Sequence, residues 1–251
     1  MTGKPLYGRQ IIMQIDKTTY NDLALFSHEE EFSVFHKINF TQTNGGKEWL
    51  RWMMNEPTSD LAKILDTQKI IKLILSCIDH WPISITNGTM MMIDKFYDTQ
   101  LDPIPRSADI VSIQIYRTFH SVDFGLIRYS VTHFRDFIVG LQQIAVLIET
   151  PEAPARLQLF ASRIRSLLLH QPLKELAEKK TGEKFSTKEI LYFGHFFKQG
   201  FKSRYEELAE IYYQLDAWYS MAKAVQQYGL SFPDFIVTDE PYIKAEKIYH
   251  I

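Results

Sequence analysis

Apolar residues near the C-terminus recur at alternating steps of four and three: Phe197, Phe201, Tyr205, Leu208, Tyr212, Leu215, Tyr219 and Ala222. That seam is the pattern of a helix packed lengthwise against partner helices. Ser186 and Glu189 stand at its start with capping-box spacing, and Gly229 with Pro233 stands where a helix should stop. The pattern predicts one helix over about 186–227, a rod of roughly 60 Å.

The same reasoning divides the rest of the chain. Residues 1 to about 26 read as an extended entry, polar and turn-rich over 16–22, with an apolar run starting at Leu23. Ser27 with Glu30 predicts a short helix through Ile38, burying Phe32, Phe35 and Ile38. Residues 41–46 read as a turn, followed by a helix over Lys47–Asn55 that Pro57 ends. Asp60 caps a helix over about 61–79, and another covers about 89–98. Asp102-Pro103-Ile104-Pro105 is a stiff linker, because two prolines forbid helix there. Helices follow at about 107–120, 123–149 and 155–170, with Pro172 in the first turn of a continuation to Lys180. Lys244 to His250 alternates weakly and suggests a strand. No run alternates strongly enough for a sheet core. The expected fold is all-α, a multi-helix bundle with long antiparallel helices joined by short breaks. Three parts are expected: an N-terminal helical core at 1–102, long helices at 103–229 with a basic tip near 174–188, and a connector at 230–251.

Charge changes this picture in one place. The 251 residues carry a formal net charge of −2, but residues 156–204 alone carry +7. Lys174, Lys179, Lys180, Lys184, Lys188, Lys198 and Lys202 flank the 181–185 turn on both arms, which predicts ammonium groups gathered at a helical hairpin. Such groups suit contact with a DNA backbone, which needs point charges and reads no sequence. They equally suit a solvated tip. The single cysteine, Cys77, excludes an internal disulfide and reads as a small buried hydrophobe. Met1–Arg9 lacks a signal-peptide core, and the apolar run Phe137–Ile148 is short for a bilayer and contains two glutamines. A cytoplasmic protein with no membrane partner is expected.

No motif in the chain announces chemistry. Asn44-Gly45-Gly46-Lys47-Glu48 has neither the glycine spacing nor the Ser/Thr of a phosphate loop. No histidine pairs at metal spacing with a third ligand nearby. No nucleophile elbow or dinucleotide loop occurs. No catalytic, cofactor-binding or metal residue is expected in this chain.

Two patches carry a resemblance. Asp16-x-x-Thr19-x-x-Asp22-Leu23-x-Leu25, then Thr41-x-Thr43-x-x-Gly46-x-x-x-Leu50-x-x-Met53-x-x-x-Pro57 and Asp60-x-x-x-Ile64 form the first. Leu215-Asp216-x-x-x-Ser220-x-Ala222, with Phe232-Pro233-Asp234-Phe235 and Asp239-Glu240-Pro241 through Tyr249-His250, forms the second. Together they resemble the core and lever domain of the MutS family of DNA mismatch-repair proteins, over about a third of the chain. The resemblance implies a non-catalytic lever module that couples an ATPase to DNA contact. ATP and magnesium would belong to an ATPase domain expected downstream. The family's mismatch reader, its clamp and its phosphate loop have no counterpart here, so no DNA-reading or nucleotide-binding residue is carried over. The partners implied are DNA, the chain's own ATPase domain and a possible second copy. The alternative is a structural or dimerisation scaffold that binds no DNA.

Overall fold

The computed structural model describes residues 18, 22–26, 30–105, 109–179, 183–236 and 242–246, and among them every regular element is a helix. In chain order these are α1 (Val34–Ile38), α2 (Asn44–Asn55), α3 (Leu61–Ser76), α4 (Asn87–Asp98), α5 (Ile110–Phe119), α6 (Ser121–Ile148), α7 (Ala155–Leu168), α8 (Gln171–Glu178), α9 (Thr187–Gly200) and α10 (Lys202–Tyr228), with short 3-10 turns at Glu30–Phe32 and Ile78–His80. The bundle is all-α, as the apolar spacing requires.

Two long helices organise it. The 27-residue α10 packs along α2 and α3 and touches α1. The 28-residue α6 packs against α4, α7, α8 and α9. Among the described residues α6 is long and apolar enough to cross a membrane by length and composition, and over half of that stretch is buried against other helices. The two long helices meet through rings rather than close backbone approach. Phe134 and Phe137 of α6 face Tyr205 and Tyr212 of α10, with centroids 5.5 to 6.5 Å apart. Phe134 also stacks on Phe197 at 3.8 Å. Edge-to-face and stacked pairs of this kind add to the stabilisation from burial. One apolar cluster runs from Ile70 to Ala222, on both sides of the boundary expected at 102/103.

The eight seam residues are all buried, but the single rod is not observed. The helix ends at Gly200 and restarts at Lys202, with Phe201 at φ −106° between them. Phe201 is itself fully buried, and its ring packs on both Phe196 and Phe197. The rod therefore breaks where a glycine removes helix preference and a core phenylalanine anchors the chain. Both predicted ends hold. The Ser186–Glu189 capping box is complete, and Gly229 adopts the left-handed φ of 61°.

Other differences are local. Ser33 caps α1, and Phe32 is 68% exposed instead of buried. Helix α2 starts at Asn44, inside the expected turn, because Thr43 supplies the cap. Cys77 is half-buried at the end of α3. Residues 242–246 form no strand, and 247–250 lie outside the described residues, as do Ser27 and Lys180.

Candidate functional site: a buried aspartate latch and a basic hairpin

Asp216 lies on α10 with no solvent exposure, and it has no cation beside it among the described residues. Its partners come from the turn before α2. Oδ1 accepts the Gln42 N–H at 2.9 Å; Oδ2 accepts the Thr43 N–H at 2.9 Å and the Thr43 hydroxyl at 2.7 Å. Thr43 Oγ1 meanwhile accepts the Gly46 N–H as N-cap of α2. A carboxylate thus sits at a helix N-terminus, where the dipole and the free N–H groups favour negative charge. Burial raises the Asp216 pKa from 3.8 to about 6, with the hydrogen bonds from Gln42 and Thr43 opposing it.

The same face of α10 continues the latch. Ser220 Oγ accepts the Phe40 N–H at 2.7 Å and donates to the Ile38 carbonyl at 2.7 Å. Tyr228 donates to the Lys37 carbonyl at 3.1 Å. Glycine is required at 46 because a Cβ there would overlap the Asp216 carboxylate. Thr43 and Gly46 of the first patch and Asp216 of the second therefore meet at one junction, closed across some 170 residues of chain. Asp216 itself is closed off from solvent and locks two segments together.

The basic segment is mostly met by partners. Lys179 pairs with Glu183 at 3.0 Å and Glu189 at 2.7 Å, and those hydrogen bonds raise its pKa. Glu189 is also the capping-box acid, so the hairpin closes on itself. Arg163 pairs with Glu207 and Arg165 with Glu149, both acids from outside the segment. Arg156 donates to Gln214 at 2.6 Å and lies over the Trp218 ring. Lys198 is not at the hairpin end at all. Its ammonium donates to the carbonyls of Phe96, Tyr97 and Thr99 at 2.8 to 3.2 Å, closing the C-terminus of α4. Burial, then the neighbouring Lys202 ammonium, lowers its pKa. Lys202 lies 4.0 Å from Glu206 and over the Tyr97 ring. Among the described residues Lys174, Lys184 and Lys188 are exposed and have no carboxylate partner. Lys180, also in the predicted cluster, lies outside the described residues.

One cluster was missed in the sequence. Asp102, His120 and Asp123 place one ligand atom each within 4.8 Å of one another. His120 Nδ1 lies 2.8 Å from Asp102, and the Asp102 N–H donates to Asp123 at 3.1 Å. The spacing of 18 and 3 residues gives no motif; the stiff 102–105 linker brings Asp102 back to the α5–α6 corner. These contacts pin the linker. An imidazole and two carboxylates are also chemically able to hold a divalent cation.

Compared with known proteins, the chain matches no family model, no curated protein and no solved structure.

Proposed function

We propose that this chain is the non-catalytic core and lever portion of a MutS-like, DNA-binding ATPase, and that it transmits nucleotide state mechanically to a DNA contact. The observation that supports this reading is the latch. Four of the residues that carry the resemblance, Thr43 and Gly46 near one end and Asp216 and Ser220 near the other, lie at this junction. A helix locked to the N-terminal segment at that junction and joined through Phe201 to the helix that carries Lys188 is suited to pass movement from one to the other. Lys174, Lys184 and Lys188 are the residues proposed to touch the phosphate backbone.

Fluorescence anisotropy with labelled duplex DNA over a salt series tests this. The triple variant Lys174→Glu, Lys184→Glu, Lys188→Glu should abolish salt-dependent binding, each lost phosphate contact flattening the log–log slope by about 0.9. Binding with an unchanged slope would refute the assignment. A second reading, a dimerisation scaffold without DNA contact, is favoured by α5. Val111, Ile115 and Phe119 recur on one face of that helix and are all exposed. Light scattering showing a dimer, with no duplex binding at low salt, would favour it.

A further inference from the structure

The outer face of α9 carries a cleft of about 690 Å³, lined by Tyr192, His195, Phe196, Gln199 and Gly200. It is open to solvent, a surface groove and not an enclosed pocket. The inner face of the same helix, Ile190, Phe193 and Phe197, is buried in the core, so the cleft rests on a fixed wall.

Its chemistry is specific. Tyr192 is 39% exposed, and Phe196 is half-buried against Phe197 and Phe201. These are aromatic surfaces that a flat ring can stack on. His195 Nδ1 lies 2.9 Å from the Ile104 carbonyl. A carbonyl only accepts, so Nδ1 carries the hydrogen and Nε2 of the neutral ring is left as an acceptor. Gln199 offers an amide with both donor and acceptor. Lys188 is exposed on the same helix, one turn, about 6 Å of rise, before Tyr192. Burial, then the Glu175 carboxylate, raises the pKa of the Tyr192 hydroxyl. At the other end a Cβ on Gly200 would meet nothing within 4 Å, so packing does not demand glycine there. Its lack of a side chain leaves the cleft open.

We propose that this cleft binds a nucleobase, with the base stacked on Tyr192 and Phe196, its polar edge read by His195 and Gln199, and its phosphate directed toward Lys188. The base comes from a single strand or from a free nucleotide, because a base inside a duplex is stacked and cannot enter. The inference extends the proposed DNA contact and rests on it for the single-strand source.

Titration with an oligodeoxythymidylate of about twelve nucleotides, with thymidine monophosphate and with duplex DNA separates the cases. Gly200→Leu fills the cleft, and Tyr192→Ala removes a stacking surface; each should weaken oligonucleotide binding about tenfold. Tyr192→Phe should keep it, and none of the three should alter duplex binding through Lys174, Lys184 and Lys188. Oligonucleotide binding unchanged in both Gly200→Leu and Tyr192→Ala overturns the cleft, as does duplex binding without single-strand binding; the lever reading survives either result. Thymidine monophosphate bound in the cleft, with no duplex binding, sustains the cleft and overturns the proposed DNA backbone contact. No binding of any of the three overturns both.

Discussion

Asp216 and Lys198 are two charges of opposite sign drawn into the fold, and each is met by backbone. Asp216 collects N–H groups at the start of α2, while Lys198 collects carbonyls at the end of α4. Each satisfies groups that a helix terminus cannot pair within itself, and each sign matches its end of the helix dipole. The hairpin lysine Lys179 is met differently, by two carboxylates at the surface, where water and salt screen the attraction. The difference teaches where charge matters to this fold. A charge that closes a helix end inside the bundle is structural; a charge paired at the hairpin is replaceable.

The largest effect is therefore expected at the latch. Asp216→Ala would leave two N–H groups and a hydroxyl without a partner in a buried site, and should destabilise by about 3–5 kcal/mol in urea unfolding. The pH profile sharpens this. Because burial raises the folded pKa to about 6, Asp216 binds its proton more tightly folded than unfolded. Its contribution is fully present below about pH 4 and is lost as pH rises through 6, a fall of about 3 kcal/mol from the displacement from 3.8. The stability difference between wild type and Asp216→Asn should shift against the wild type by that amount across this interval. A flat difference would show that the donors keep the carboxylate ionised throughout.

Gly46→Ala attacks the same junction from the other side. The added methyl overlaps Asp216, so a loss of about 3 kcal/mol is expected. In an Asp216→Ala background the loss should be smaller, because the overlapping carboxylate is gone. Full additivity in the double-mutant cycle would place the strain elsewhere. Lys198→Met comes next. It keeps an unbranched apolar side chain but removes the ammonium from over the Phe96 ring and strips three carbonyls of their donor, for about 1–3 kcal/mol.

The helices were legible in the sequence because their signals are local. Ser186 with Glu189, Asp60 before α3 and Gly229 after α10 act within a turn of their own position. The seam was legible too, since Phe197 through Ala222 share one face by spacing alone. The break at Phe201 was not, because Gly200 alone does not fix it and the Phe134 ring that helps hold Phe201 comes from α6. The latch was half legible. Thr43, Gly46, Asp216 and Ser220 stood out as a resemblance, but nothing in a linear pattern says that they touch. The fate of the lysines was not legible. Lys198 and Lys188 look alike in sequence, and only the fold places carbonyls before one and solvent before the other.

That contrast carries the smallest expected effect. Lys174, Lys184 and Lys188 are exposed and close no helix end, so reversing all three should leave the thermal midpoint where it is in the wild type. Lys179→Ala should behave the same way, since its pairs with Glu183 and Glu189 lie at the surface. Lys198→Met, one lysine of the same basic segment, should lower the midpoint measurably. If the triple reversal lowered it instead, the hairpin lysines would be holding the fold together, and the distinction between inward and outward charge would fail. If it spares the fold and removes duplex binding, the three positions act on a partner and not on the bundle that presents them.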